Sequence, residues 1–437
     1  MERTYIEDLQ NLVGQKVKIC GWVQTIRDQG GIKFILVRER TGIIQVVVTA
    51  GQRDLGKIVS HLTDESVVEI IGLVKKEQQA PSGIEISPES ILVLSLAGSP
   101  LPIQVAEKKE EEASLEKRMD WRWLDLRKKP KRLIFLVWTM MEKAFRDYWT
   151  KNGYIEIHSP KFMGTPSESG AELFEVKYFQ RKAYLAQSPQ FYKQMAMAAG
   201  FEKVFETGPV FRANPSFTSR HDTEFTMYDV EISFVTSHFD LMAEEEKMIA
   251  TVLSEIKVKY GAEIEKEFGR EIVIPSLPFP KVTMEEAKKM LKNLKIKTVR
   301  NGDLSPEEEI NLCRLIKEKY NHEFVFVTDY PIEVRPFYHM RYGDNPGITK
   351  SFDLLWEGME ITTGAQREHR LEILKKQALE KGVRLESIKH YLDFFKYGCP
   401  PHGGFAIGPT RMLMKVFNIG NVREVTYLYR GVNRLSP

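Results

Sequence analysis

GGFAIGPTRMLMKVF, running from Gly403 to Phe417, is the most informative run in this chain. Glycines at 403, 404 and 408 let backbone approach a ligand closely, and Arg411 falls one turn into an apolar helical pattern, Met412-Leu413-Met414 with Val416 and Phe417. Taken alone, such a turn is common, and an arginine there is most often a solvated helix residue. A second segment changes the weighing: Val210-Phe211-Arg212-Ala213-Asn214, then Thr218-Ser219-Arg220-His221-Asp222-Thr223-Glu224-Phe225. Two arginines and a histidine crowd one apparent strand-loop-strand there. Arginine sites so far apart in sequence point to one polyphosphate held from both sides.

These two segments resemble the second and third signature motifs of class II aminoacyl-tRNA synthetases. Gly153-Tyr154-Ile155-Glu156-Ile157-His158-Ser159-Pro160-Lys161 resembles the first, which in that family builds a dimer interface. LAQSPQFYKQM at 185 to 195, GMEITTGAQREH at 358 to 369 and YGCPPHGGFAIG at 397 to 408 narrow the resemblance to aspartyl-tRNA synthetases of the archaeal and eukaryotic type. It covers nearly the whole chain.

The 437 residues suffice for two or three domains, and 42% hydrophobic with 28% charged residues is an ordinary soluble composition. A formal net charge of +3 neither argues for nor excludes a nucleic-acid partner, so any basic face is local. Cys20, Cys313 and Cys399 lack metal-ligand spacing and read as small unpaired thiols in a reducing compartment. No signal-peptide pattern opens the chain, and its longest apolar run, 133–141, is far too short to span a bilayer. A cytoplasmic protein with no membrane or DNA partner is expected.

In chain order, strand patterns at 16–26, 33–37, 43–48, 66–74 and 84–94, with a short helix near 55–61, suggest an OB barrel over residues 1–100. Periodicity alone leaves a generic small β-barrel slightly ahead; the family resemblance tips the reading and implies an anticodon-reading OB domain. The positions it carries over are Arg27, Phe34, Gln45 and Glu85, with Pro81 ahead of the last strand. Phe34 suits stacking on an unpaired base, while Gln45 and Glu85 suit hydrogen bonds to base edges. Residues 101–130 read as a hinge, including the charge run Glu107 to Glu112. From 131 to 437 the expectation is a class II catalytic domain. It begins with a helix from Pro130 to Lys151, continues with strands at 182–186, 204–211 and 224–234, and then with helices at 239–260, 283–293 and 306–320. Further strands are expected at 324–328, 336–340, 350–356 and 359–363, and helices at 368–381 and 385–395. The stretch of about 260–321 carries no family signature and reads as an insertion. The fold class expected is α+β, an OB barrel followed by an antiparallel sheet flanked by helices.

What the resemblance implies chemically is ATP-dependent activation of L-aspartate and its transfer to tRNA(Asp), through an aspartyl-adenylate. Arg212 and Arg411 are then the catalytic cations, on the α- and γ-phosphates, with Arg220, His221, Phe225 and Gly408 also at ATP. Asp353 and Glu360 are implied as Mg²⁺ ligands, Glu360 also facing ATP; oxygen donors are what that ion selects. Lys193 and Arg367 match the pair for the aspartate side chain, with Gln190 a turn from Lys193. Glu168, Gln187 and Asp229 match positions around the ammonium group, and Thr363 joins them. Ser167, Ser169 and Gly170 fall in a loop resembling one that closes over aspartate. Asparaginyl-tRNA synthetases, the nearest alternative, share the scaffold and the arginine but typically lack the lysine, whose charge an amide leaves unpaired.

Three positions depart from the family pattern: Asn214 where motif two usually has glutamate, Thr410 before Arg411, and Gly431 after Tyr429-Arg430. They motivate a second alternative, a synthetase-derived RNA-binding or regulatory protein with weak catalysis. Retention of Arg212, Arg411, Asp353, Glu360 and Lys193 together argues against it. In the barrel, Gln24 follows Gly21-Trp22-Val23 where strict enzymes carry tryptophan, and Pro81 stands where they carry lysine. An enzyme that also charges tRNA(Asn) is therefore expected. A homodimer is implied by motif one.

Overall fold

A computed structural model describes residues 1–106, 112–165, 172–215, 218–296 and 298–437. Glu168, with Ser167, Ser169 and Gly170, lies outside the described residues, as does most of the charge run beginning at Glu107. The chain divides into two compact units, Met1–Lys128 and Lys129–Pro437.

In the first unit, strands β1 (Lys16–Gln29), β2 (Ile32–Arg38) and β3 (Ile43–Val48) precede helix α1 (Arg53–Ser60) and strands β4 (Val67–Lys76) and β5 (Ile84–Ser95). Every second residue is apolar and turns inward, so Ile19, Val23, Ile35, Val37, Val46, Ile70 and Ile86 form one core. That alternation closes the strands into a barrel, ordered β1-β2-β3-β5-β4, with β3 and β5 parallel. β1 is longer than its expected span and carries a bulge between Val23 and Thr25. The expected hinge holds two short helices, α2 (Leu115–Asp120) and α3 (Arg122–Asp125), and buried Asp125 pairs there with Arg122 at 2.7 Å and Lys128 at 3.1 Å.

The second unit begins with α4 (Lys129–Lys151), whose stripe Leu133, Val137, Met141 and Ala144 is buried. β6 (Ile155–Glu156), β7 (Phe162–Met163), β8 (Glu175–Tyr178), β9 (Arg181–Leu185), α5 (Gln190–Ala198), β10 (Lys203–Phe211) and β11 (Glu224–Ser233) follow. α6 (His238–Phe268) starts at a Ser237–Asp240 capping box and leads to β12 (Lys281–Thr283), α7 (Met284–Asn293), α8 (Pro306–Tyr320) and β13 (Phe324–Thr328). The chain closes with β14 (Ser351–Trp356), β15 (Met359–Gln366), α9 (Leu371–Glu380), α10 (Lys389–Asp393), β16 (His402–Ile407), α11 (Pro409–Val416) and α12 (Val422–Val425).

Eight strands form one sheet in the order β12-β13-β14-β15-β16-β11-β10-β6. Its inner pairs are antiparallel, as expected, but the two outermost, β12 with β13 and β6 with β10, are parallel. α4 and α6 pack apolar faces on this sheet through Phe145, Trp149, Ile249 and Val252, against Phe205, Tyr228 and Phe405. The segment expected as an insertion does not leave the core at residue 260. α6 continues to Phe268, β12 extends the sheet, and α7 and α8 bury Leu291, Leu312 and Ile316 against Val325 and Val327.

Two expected elements differ. Residues 336–340 form no strand: Pro336 has no N–H to donate, and the carbonyls of Phe337 and His339 accept instead from the Gln377 side chain, at 2.6 and 3.1 Å. The expected helix 385–395 breaks into two 3-10 turns flanking α10. Among the described residues no helix is long and apolar enough to cross a membrane.

Candidate active site

The second unit contains a cavity of about 360 Å³ over β11, β15 and β16, walled further by α5, by the β10–β11 connection and by the start of α11. At one end lies a buried charge network. β11 places Asp229 and Glu231 two residues apart, hence on one face, opposite Ala406 and Gly404 of β16. Gly404 is required there, because a Cβ would collide with the Glu231 carboxylate and with Val230 O. Lys193, on α5 and only 2% exposed, sends Nζ to Asp229 Oδ1 at 3.0 Å and to Glu231 Oε2 at 3.4 Å. Arg367, one residue past β15, donates through Nε to Glu231 Oε1 at 3.0 Å and through Nη2 to Gly404 O at 3.0 Å.

Burial pushes the Asp229 carboxyl up, opposed by Lys193, whereas for Glu231 the guanidinium of Arg367 and the ammonium of Lys193 outweigh burial and hold it low. Both expected cations thus already touch carboxylates within the network, Lys193 at Asp229 and Glu231 and Arg367 at Glu231. Gln190 borders it, its Nε2 donating to Gln194 Oε1 at 2.9 Å. His339, which sequence reasoning passed over, accepts from Arg367 Nη1 on Nε2 at 3.1 Å. Burial, with Arg367 beside it, holds this imidazole well below its usual range, so it is neutral with its proton on Nδ1.

At the other end stand the arginines. Arg212 follows β10 and lies over the Phe225 ring at 5.5 Å, with Nε toward Gln187 O at 3.5 Å. Arg411, in the first turn of α11, donates to Glu360 O at 2.9 Å and faces Glu360 Oε1 at 3.3 Å. Glu360 also accepts from Thr363 Oγ1 at 3.0 Å. Arg220 meets Glu309 at 2.7 Å, and His221, bonded to Thr218 Oγ1 at 2.6 Å, is pushed down by burial and then by Arg411. Burial raises the Asp222 carboxyl on the same wall to about 7.

The cavity thus gathers Gln187, Gln190, Lys193, Asp229, Thr363 and Arg367 with Arg212, Arg220, His221, Phe225, Glu360, Gly408 and Arg411. Asp353 is not a wall of it. On β14, opposite Thr363, it is buried and bound through Oδ2 to Arg335 Nη2 at 2.6 Å, while Oδ1 has no hydrogen-bond partner. Glu172, Arg335, Tyr338 and His339 join the walls unforeseen. For the last three the sequence signal is a cluster of charge, phenol and imidazole within Arg335-Pro336-Phe337-Tyr338-His339, inside what otherwise reads as apolar strand; Glu172 carries none.

No cluster of three or more His, Cys, Asp or Glu side chains suited to a metal occurs among the described residues. Glu360, on the cavity wall, is the kind of oxygen donor Mg²⁺ takes, whereas Asp353, engaged by Arg335, does not line the cavity.

In the first unit, Arg27 pairs with Phe34 across β1 and β2, and Gln45 pairs with Glu85 across β3 and β5. Their chain neighbours Ile35, Val46 and Ile86 point inward, so Phe34, Gln45 and Glu85 lie on the barrel's outer face. Gln45 Nε2 donates to Glu85 Oε2 at 3.1 Å. Pro81 is exposed in the β4–β5 turn, and Gln24 is the bulge residue of β1, its Oε1 buried.

Residues 17–94 match the OB-fold nucleic acid binding domain, and residues 114–430 match the class II tRNA synthetases (D, K and N). An aspartate–tRNA(Asp/Asn) ligase of Aeropyrum pernix is 43% identical over 99% of this chain and 98% of its own length. An aspartate–tRNA(Asp) ligase of Pyrococcus abyssi is 42% identical over the same shares, 99% and 98%. Among solved structures, the asparaginyl-tRNA synthetase from Pyrococcus horikoshii complexed with asparaginyl-adenylate superposes with TM-score 0.92 at 32% identity, covering 100% of both chains. A family match across the whole second unit's site, with full-length relatives of this similarity, means that the chain belongs to the class II tRNA synthetases (D, K and N).

Proposed function

We propose that this protein ligates L-aspartate to tRNA, in an ATP-dependent reaction through aspartyl-adenylate. The observation that carries the reading is the pairing of two ends in one cavity: Lys193 and Arg367 at one, Arg212 and Arg411 at the other. Similarity to an asparaginyl enzyme leaves the choice of amino acid open, and Lys193 favours aspartate. A ligand amide offers no charge to a buried ammonium, whereas a carboxylate joins it and Arg367 in a charge-assisted pair.

Membership of this family implies use of ATP. The aspartate α-carboxylate attacks the α-phosphorus in line and pyrophosphate departs; a terminal ribose hydroxyl of tRNA then attacks the acyl carbonyl and AMP departs. No protein nucleophile is needed. Arg212 and Arg411 hold and neutralise the phosphates, Phe225 offers its ring to adenine, and Asp229 with Gln187 receives the α-ammonium. Glu360, on the cavity wall, would hold Mg²⁺, which supplies further positive charge to the triphosphate when bound, and Asp353 would join it only by leaving Arg335.

Similar relatives are named for tRNA(Asp) alone and for tRNA(Asp/Asn), so overall similarity does not choose between them. Exposed Pro81 cannot supply a charged donor to the third anticodon base and Gln24 lacks tryptophan's bulk, which favours charging of both tRNAs. The dimer reading draws on β6 being a sheet edge, with Ile155 exposed there and Leu136 exposed on α4. Three free cysteines accord with a cytoplasmic location. The test is ATP–pyrophosphate exchange with aspartate and with asparagine, followed by charging of both transcripts. Preferential activation of asparagine overturns the proposal. Light scattering should report twice 50.5 kDa.

A further inference from the structure

The first turn of α8 reaches Arg220, a wall residue of the cavity, although nothing in its sequence announces a role there. Ser305 and Glu308 form the capping box that starts this helix, which directs the next residue, Glu309, inward. Glu309 is 9% exposed, and its Oε2 lies 2.7 Å from Arg220 Nη1. The other terminal nitrogen of Arg220, Nη2, donates to Gly358 O at 3.1 Å in the β14–β15 turn.

The approach of these three elements is built into the backbone. Gly358 has φ +80°, and a Cβ on it would stand 2.8 Å from Ile310 Cα, so the turn admits α8 only because this residue is glycine. Arg220 belongs to the β10–β11 connection, which is otherwise tied down nearby by Val422 N–H to Ser219 O at 2.8 Å and by Thr223 N–H to Arg430 O at 3.0 Å. Burial, with repulsion from Glu360, raises Glu309, and Arg220 opposes that rise, which means Glu309, Arg220 and Glu360 share one electrostatic neighbourhood.

We propose that Glu309 is a positioning residue for the nucleotide: it holds the Arg220 guanidinium against the cavity wall, so that α8 braces the triphosphate end of the site. A guanidinium clamped between a carboxylate and a carbonyl has lost its rotamer freedom before ligand arrives, and less ordering remains to be done on binding. This rests on reading the cavity as an ATP site. It adds that the stretch of about 260–321 is functional support.

The test is a double-mutant cycle on Glu309→Gln and Arg220→Ala, read in two ways. Binding of the magnesium complex of β,γ-methylene-ATP without amino acid is measured by calorimetry, and KM values for ATP and aspartate by pyrophosphate exchange. Glu309→Gln should weaken analogue binding and raise KM for ATP roughly tenfold while leaving KM for aspartate within about twofold. In the Arg220→Ala background the same change should have no further effect. Glu309→Asp, which withdraws the carboxylate by one methylene, should give a smaller loss in the same direction and serves if the glutamine variant folds poorly. Parent-like analogue affinity in Glu309→Gln, additive losses in the double variant, or equal rises in both KM values would each overturn the inference. A parent protein that binds the analogue but shows no aspartate-dependent exchange would sink the aspartate assignment alone.

Discussion

Replacing Lys193 by methionine keeps the length and packing of the side chain while deleting its charge. In the parent, Nζ is 3.0 Å from Asp229 Oδ1 and 3.4 Å from Glu231 Oε2, and it also donates to Val230 O and Phe405 O at 3.3 and 3.4 Å. Lys193 and Arg367 face two carboxylates, and the substitution leaves Arg367 alone against both. Removing one member of a buried pair costs about 3 to 5 kcal/mol, part of which Asp229 escapes by taking a proton, since burial already raises its carboxyl. An incoming aspartate side chain then meets one cation where it had two, and loses about 3 kcal/mol, a factor of roughly 100. Asparagine, neutral at the same atom, loses far less. ATP–pyrophosphate exchange should show kcat/KM for aspartate falling about 100-fold and the preference over asparagine collapsing, with circular dichroism confirming that the variant is folded. A folded variant that keeps the parent's preference would refute the assignment of Lys193.

Arg411→Ala should lower exchange by about 3 kcal/mol, the cost of one preorganised donor, while filter binding of tRNA stays near the parent's; loss of tRNA binding would place Arg411 elsewhere in the mechanism. Glu245, fully buried on α6, has its carboxyl raised from 4.5 to about 8 by burial, with Asp353 and Glu246 adding to it. The folded state therefore binds more protons than the unfolded one between those values, and stability falls as pH rises through that window, by at most about 4 kcal/mol from pH 5 to pH 8. Glu245→Gln should flatten that slope in urea unfolding, and an unchanged slope would exclude this carboxyl as its source. Pro81→Lys should lower charging of tRNA(Asn) relative to tRNA(Asp) by about 1 to 3 kcal/mol, measured as the ratio of kcat/KM on the two transcripts, and no change in the ratio would make the proline only a turn residue.

Much of the site was legible because its chemistry needs particular residue types next to particular backbone. Glycines at 403, 404 and 408 with Arg411, and the arginines of the β10–β11 connection, carry local signatures, and alternation of apolar residues sufficed for the barrel strands. What the sequence by itself determined was the α+β architecture with its OB barrel; it also named cations and carboxylates, Lys193, Arg367, Arg212, Arg411, Asp229 and Glu360, that the structure brings to one cavity. Only the tertiary structure decided which of these charges face each other. Glu231 closes the network between Lys193 and Arg367 because β11 and β16 pair in a register that sets it opposite Gly404. Asp353 sits behind the wall because Arg335, from a segment that reads as strand, holds it there. Glu309 lies against Arg220, 89 residues away, through packing at Gly358. The physical reason is common to all three: propensity and periodicity act over a few residues, whereas pairing of buried charges depends on strand register and helix docking, which no local window contains.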